Sequence, residues 1–139
     1  MLTDPLRDYP GYALRRASLS STSELAKRLE VLELRPVEAS VLLVVGANPG
    51  ITQSETGRML DIAGANMAPL VNRLHERGVL EKRWLDGRSQ ALNLSASGRV
   101  LYSRTRKTFE SHEDALLKRL PKGLREPFLE ALHLLWTAE

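Results

Sequence analysis

Apolar residues recur at helical spacing along most of this chain and alternate with polar residues in only one short stretch. The helical spacing predicts a first helix from about Tyr12 to Leu34. Pro36 suits the first position of a second helix, which Asn48-Pro49-Gly50 would end about thirteen residues later. The run Val41–Val45 is β-prone by itself, but the whole segment is long for a strand, which favours a buried helix.

Two further helices are predicted close together. Thr52-Gln53-Ser54-Glu55 has the spacing of a capping box, so a short helix should run from Thr52 to Leu60. Asp61–Gly64 would form the turn, and the next helix would continue to about Arg77, with Gly78 as its left-handed C-cap. The inner face of this second helix is predicted to consist of Met67, Leu70, Val71 and Leu74.

The alternating stretch follows these helices. Val79–Leu85 and Arg88–Leu94 are β-prone, and Asp86-Gly87 separates them. An Asp-Gly pair in this position predicts a hairpin with a type I′ turn, which requires positive φ at both central residues.

The C-terminal part of the chain predicts two more helices. Ser95 suits the N-cap of a long helix, Pro121 would break it, and a last helix should run from about Leu124 to Trp136. The order of elements predicts a mainly α fold with a small β-hairpin wing. This is the layout of a winged helix-turn-helix combined with additional helices on both sides.

Composition narrows the class of protein. The 139 residues suffice for about one domain, 42% of them are apolar, and there is no cysteine for a disulfide or a thiol sensor. No apolar run approaches the roughly 18 to 20 residues that span a membrane, and no signal-peptide pattern is visible. We therefore expect a cytoplasmic protein without a membrane partner. Between residues 52 and 110 ten Lys and Arg stand against six Asp and Glu, so the positive excess lies in the stretch that contains the predicted DNA-binding module.

Patterns typical of enzymes are missing from the sequence. His75, His112 and His133 have no metal-binding spacing, and neither a Gly-x-Ser-x-Gly elbow nor a phosphate loop occurs. Ser111 and His112 are adjacent, so on a helix they point about 100° apart and cannot act as nucleophile and base. We expect no catalytic activity, no metal site and no cofactor.

The segment from about Leu34 to Val100 resembles the MarR family of bacterial transcription regulators. The resemblance rests on the order and spacing of four stretches: Asn48-Pro-Gly-Ile-Thr-Gln-Ser-Glu55, Leu70-Val-Asn-Arg-Leu-His-Glu-Arg-Gly-Val-Leu-Glu-Lys-Arg83, Asp86-Gly-Arg88 and Leu92-Asn-Leu-Ser-Ala-Ser-Gly98. It implies a homodimeric regulator, most often a repressor, that binds double-stranded DNA. It also implies three regions in one compact chain: an N-terminal dimerisation helix (1–34), the winged helix-turn-helix (35–94) and C-terminal dimerisation helices (95–139).

The resemblance, together with the docking of helix-turn-helix motifs in general, predicts a DNA-binding surface. Asn66 would read adenine through its amide, with a helix cap as the alternative role. Arg73 would reach a phosphate or a guanine, with a solvated position or a salt bridge near Glu76 as the alternative. In the family an Arg at the wing tip enters the minor groove and an Asp two residues earlier orients it, roles that fall on Arg88 and Asp86. The full candidate set is Thr52, Gln53, Ser54, Ala65, Asn66, Ala68, Pro69, Asn72, Arg73, Asp86 and Arg88.

Two departures from the family pattern affect the second helix of the motif. Ala63 stands where many members have an Asp or Ser cap, so this helix should begin near Gly64 or Asn66. Pro69 would then lie in the first turn, where its missing N–H costs little. Deeper in a helix, a proline costs about 3 kcal/mol.

Two partners besides DNA are expected. Apolar residues near the two chain ends would pack against a second copy: Leu2, Leu6, Phe128, Leu132, Leu135 and Trp136. By resemblance, a small aromatic or phenolic anion, or a coenzyme A thioester of an aromatic acid, would release the DNA. Residues that would line its pocket, each with core packing as the alternative, are Tyr12, Arg16, Ser40, Val44, Trp84, Phe109 and His112. The competing hypothesis is a winged-helix module that binds another protein and not DNA.

Overall fold

The computed structural model describes residues 1–137 and contains, within them, six α-helices and one β-hairpin. The elements in chain order are α1 (Pro10–Leu29), α2 (Pro36–Ala47), α3 (Gln53–Leu60), α4 (Gly64–Glu76), β1 (Leu80–Trp84), β2 (Gln90–Leu94), α5 (Ala96–Lys118) and α6 (Lys122–Trp136). The predicted fold class, mainly helical with a hairpin wing, is confirmed. No helix among the described residues is long and apolar enough to cross a membrane.

The first helix ends earlier than predicted. It stops at Leu29, and a 3₁₀ turn over Glu30–Leu32 leads to Glu33, whose φ of 54° reverses the chain direction. Pro36 opens α2 as predicted. The run Val41–Val45 is helical, with Val41, Leu42 and Val45 buried, because this helix lies in the core.

The capping box at the start of α3 is confirmed. The Glu55 N–H donates to Thr52 Oγ1 at 3.1 Å, and the Thr52 N–H donates to Glu55 Oε2 at 2.8 Å. The backbone N–H of Thr52 lowers the pKa of the Glu55 carboxyl, because the bond favours the ionised form. α3 ends at Leu60, and Asp61 directly after it adopts the left-handed conformation that begins the short turn to α4.

The hairpin is antiparallel, but its turn differs from the prediction. The strands pair from Leu80 with Leu94 to Trp84 with Gln90. A five-residue loop, 85–89, joins them, and neither Asp86 nor Gly87 has positive φ, so the predicted type I′ turn is wrong. Asp86 accounts for the difference, since its carboxylate accepts two backbone hydrogen bonds and stabilises a wider turn.

The base of the hairpin is bonded to the segment that enters α3. The Gly50 N–H donates to the Leu92 carbonyl at 2.9 Å, and the Leu92 N–H donates to the Ile51 carbonyl at 2.8 Å. Thr52 also forms a bridge with Ala91. The wing and the helix-turn-helix are therefore one hydrogen-bonded unit.

The core lies where α2, α4, α5 and the hairpin meet. Its largest fully buried apolar side chains are Leu29, Leu42, Met67, Leu74, Leu80 and Leu92. Gly98, in the first turn of α5, is buried so close to the Val79 carbonyl that a Cβ there would overlap the oxygen. α6 lies outside this core, since none of its described residues is buried.

Candidate nucleic-acid interface

The turn between α3 and α4 borders an open, partly polar groove. Gln53, Ser54 and Arg58 of α3 line a cavity of about 250 Å³ together with Gly64 and Met67 of α4. Gln53 and Ser54 stand at the start of α3, where free backbone N–H groups favour a phosphate. Arg58 is absent from the sequence-based set, although its spacing of four from Ser54 places both on one helix face.

α4 presents two different sides. Its predicted inner face is confirmed, since Met67, Leu70, Val71 and Leu74 are all buried. At about 100° per residue, Ala65, Pro69 and Asn72 point away from that face, and all three are exposed. Asn66 lies exposed on one flank, and Ala68 is half-buried on the other. The exposed side is small and uncharged near the start of the helix.

Asn66 does not cap α4. The helix begins at Gly64, with Ala63 in the N-cap position. Asn66 is the third helical residue, and its backbone N–H donates to the Ala63 carbonyl at 2.8 Å. The alternative role as a helix cap is therefore wrong, and the exposed side-chain amide is available to a partner.

Asn72 is held in place by the wing. Lys82 Nζ, from β1, donates a hydrogen bond to Asn72 Oδ1 at 2.9 Å. This bond places a positive charge beside the exposed side of α4 and leaves the amide N–H groups of Asn72 directed elsewhere. α4 and the hairpin thus share one polar surface.

Pro69 lies deeper in α4 than predicted. It is the sixth helical residue, not a residue of the first turn. A residue at this position normally donates to the carbonyl four residues earlier, so the Ala65 carbonyl lacks its usual helical donor. The expectation that Pro69 costs little is wrong, because it assumed a later start of the helix.

Arg73 forms a salt bridge, but not with Glu76. Its Nη1 lies 3.6 Å from Oε1 of Glu38 in α2, whose side chain is only 7% exposed. The partner is 35 residues away in sequence, so no local pattern pointed to it. Half of the Arg73 side chain remains exposed.

The wing loop is organised by Asp86 through the backbone. Asp86 Oδ1 accepts hydrogen bonds from the N–H of Arg88 at 2.7 Å and from the N–H of Ser89 at 2.9 Å. These bonds hold the backbone of Arg88, whereas the expected role of Asp86 is to orient the Arg88 side chain. The Arg88 side chain is exposed at the tip of the hairpin.

The predicted effector residues are distributed over several places. Tyr12 and Arg16 are bonded at 3.0 Å and line an open cavity of about 390 Å³. The Tyr12 hydroxyl accepts this bond and raises the pKa of Arg16. Ser40 donates to the Pro36 carbonyl. Val44 and Phe109 are partly buried, and Trp84 is exposed on the wing.

His112 is the most enclosed member of this set. Its Nε2 lies 3.1 Å from Ser21 Oγ of α1, while Nδ1 is buried without a hydrogen-bond partner among the described residues. Ser21 also lines a cavity of about 400 Å³ between α1, α5 and α6, together with Arg119 and Phe128. Neither Ser21 nor Arg119 is among the residues predicted from the sequence. Ser21 is 91 residues away from His112, so no local pattern connects the two.

Comparisons with known proteins agree with this geometry. Residues 32–89 match the sequence model of the MarR family. The transcriptional repressor CouR, bound to a 23-mer DNA duplex, superimposes with a TM-score of 0.90 at 31% identity, covering 99% of both chains. CouR bound to p-coumaroyl-CoA gives a TM-score of 0.87 at 28% identity, again covering 99% of both.

A curated relative from Thauera aromatica is also described as a transcriptional regulator. It has been proposed to regulate transcription of the hcr operon. It is 23% identical over 132 residues, which cover 93% of this chain and 80% of that protein. The matches extend beyond the winged helix-turn-helix and include the flanking helices.

Proposed function

The chain belongs to the MarR family of transcription regulators, and from this premise we propose that it is a homodimeric repressor of transcription. Each copy would place α4 in a major groove of double-stranded DNA and its wing in the adjacent minor groove. A small aromatic acid or its coenzyme A thioester would release the protein from the DNA. Support comes from the exposed side of α4, the wing and the unburied terminal helices.

The observation that carries the DNA-binding proposal is the charge pattern of α4. From Ile62 to His75 there is no Asp or Glu, whereas 17 of the 139 residues of the whole chain are acidic. A helix that enters a DNA groove runs between two rows of phosphates, so carboxylates on it are repelled. A helix that merely faces water has no reason to exclude them.

Each part of this surface suits a different contact. Gln53, Ser54 and Arg58 would hold a phosphate at the start of α3, with Thr52 fixing the helix end behind them. Asn66 can pair with adenine, and the amide N–H groups of Asn72 can donate to a base edge. Ala65, Ala68 and Pro69 can approach a thymine methyl group. Arg88 would enter a narrow A·T-rich minor groove, where negative potential is concentrated.

The terminal segments supply the dimer surface of the proposal. α6 has no buried residue, and Leu129, Leu134, Leu135 and Trp136 are each more than half exposed. Leu2 is fully exposed at the other end of the chain. A second copy of the chain would cover these residues, and two DNA-binding surfaces would then read two half-sites.

The effector proposal rests on chemistry and on one relative. CouR, at 28% identity, has been seen with p-coumaroyl-CoA, an aromatic thioester with several phosphates. In this chain Arg7, Arg16 and Tyr12 line an open cavity together with Asp4, and its two guanidinium groups outnumber the one carboxylate and suit an anionic group. Ser21, which bonds the buried His112, adds a polar group to the cavity between α1, α5 and α6.

The first experiment measures binding to duplexes from the gene's own neighbourhood against random duplexes, over a range of salt concentrations. DNA binding should weaken linearly in log salt, because phosphate contacts release counterions. Arg88→Ala should lose most affinity at sites with A·T-rich flanks, whereas Arg106→Ala, on an exposed face of α5, serves as the matched control. Absence of any salt-dependent binding would favour the protein-interaction module instead.

The second experiment tests the effector class. With a bound duplex in hand, p-coumaroyl-CoA, free p-coumarate and coenzyme A alone are titrated against the complex. Release by the thioester alone supports a site that reads both the ring and the phosphates. Release by none of the three would contradict this choice of ligand without touching the DNA-binding proposal.

A further inference from the structure

The last turn of α4 is bonded to the segment that joins α1 to α2, residues 30–35, called here the junction. Arg77 is the first residue after α4, and its guanidinium donates to two successive backbone carbonyls of the junction. Nη1 bonds the Glu33 oxygen at 2.7 Å, and Nη2 bonds the Leu32 oxygen at 2.6 Å. A planar guanidinium that bonds two fixed carbonyls has little freedom left, so this contact is rigid.

A second contact is made by Arg73, one turn earlier on the same face of α4, with Glu38 of α2. Glu38 Oε1 accepts from the backbone N–H of Arg35 at 3.1 Å and from its Nε at 2.9 Å. Arg73 Nη1 approaches the same oxygen at 3.6 Å. The Glu38 side chain is 7% exposed, and a carboxylate so enclosed is costly unless positive groups face it. Arg35 and Arg73 together supply that charge.

We infer that Glu38, Arg73 and Arg77 form a brace that sets the direction of α4 relative to α1. In this account Arg73 serves DNA recognition by holding Glu38 and not by contacting a phosphate. Glu38 and Arg77 are then positioning residues for operator recognition. The inference rests on the proposed function, since it concerns how that DNA-binding surface is aimed.

The geometry explains why such a brace matters. α4 has 13 residues and is therefore about 20 Å long, so a tilt of about 5° moves its far end by about 1.7 Å. That displacement exceeds the range over which a hydrogen bond to a base edge keeps its geometry. Through Arg77 the brace joins α4 to Leu32 and Glu33, which follow α1 directly and belong to the predicted dimerisation region. It therefore links the aim of α4 to the spacing between two copies.

The test is a double-mutant cycle of Glu38→Gln and Arg73→Gln, measured on the operator duplex and on random duplex at several salt concentrations. Each single variant should lose about tenfold in discrimination. The double variant should lose no more, because either change alone already breaks the contact between Arg73 and Glu38. The slope of log affinity against log salt should stay that of the wild type. Arg106→Gln, which breaks an exposed salt bridge with Glu110 on α5, should change neither quantity.

Arg77 gives an independent readout. Arg77→Lys keeps the charge but lacks the planar fork that holds the two carbonyls through separate nitrogens. It should therefore lose discrimination, as should Arg77→Met, again with an unchanged salt slope. Additive losses together with a salt slope reduced by about 0.9 for Arg73→Gln would show a direct phosphate contact and overturn the inference. Full discrimination in all variants, with cooperative thermal unfolding, would overturn it as well. A wild-type protein that binds no duplex would instead refute the proposed function, and this inference with it.

Discussion

Pro69→Ala should stabilise the protein and weaken its recognition of DNA. Pro69 is the sixth residue of α4 and leaves the Ala65 carbonyl without its helical donor. A proline in a helix interior is about 3 kcal/mol less favourable than alanine, while its loss frees the unfolded chain at a cost of about 0.4 to 1 kcal/mol. The net gain is about 2 kcal/mol, which corresponds to about 8 °C in melting temperature for a chain of this size.

Pro127 provides a matched control for this change. It is the sixth residue of α6, the same position in a different helix, and lies far along the chain from the proposed DNA surface. Pro127→Ala should therefore raise the melting temperature by a similar amount. Only Pro69→Ala should also reduce discrimination between operator and random duplex, because it reshapes the exposed side of α4.

The assay combines thermal unfolding at one fixed protein concentration with duplex binding at one salt concentration. A melting temperature unchanged by Pro69→Ala, with the expected increase for Pro127→Ala, would refute the reasoning, since the free Ala65 carbonyl would then carry no cost. If Pro69→Ala discriminates between operator and random duplex as well as Pro127→Ala does, Pro69 is not part of the recognition surface. Without a role in DNA recognition, a proline that destabilises α4 would have no function evident from the structure.

Three further outcomes follow from single contacts. Asn66→Ala should lower discrimination by about 1 to 3 kcal/mol, measured as the ratio of operator to random affinity, and equal losses on both would contradict base reading. Gly98→Ala should destabilise the fold by about 3 kcal/mol in urea unfolding, because the methyl group would meet the Val79 carbonyl. The lowered pKa of Glu55 means that its stabilising bond with Thr52 is present above the ordinary pKa of a Glu and is lost as the pH falls through the folded value. Acid titration of Glu55→Gln should therefore lack this part of the pH dependence.

Local rules predicted much of the fold from the sequence. The capping box of Thr52 and Glu55 needs only four neighbouring residues, and the buried face of α4 follows from its apolar spacing. Both are confirmed because neither depends on a distant partner. The sequence allows α4 to begin at either Gly64 or Asn66, and only the later start would place Pro69 in the first turn.

Contacts between distant residues could not be predicted in the same way. Arg77 bonds a carbonyl 44 residues away, and Arg73 pairs with a glutamate that reads as an ordinary first-turn residue of α2. The hairpin turn failed for a different reason. Asp86 tolerates positive φ, but here its carboxylate satisfies two backbone N–H groups in a wider loop, and that choice depends on the whole hairpin.

The two ends of the hairpin differ in how they would accept insertions and deletions. Near its base, Gly50, Ile51 and Leu92 are joined by main-chain bonds, so a one-residue change there would shift the pairing and displace the entrance to α3. The tip, residues 85–89, is bonded chiefly within itself. During evolution the loop at the tip can therefore gain or lose residues, while the strand pairing and the entrance to α3 stay unchanged.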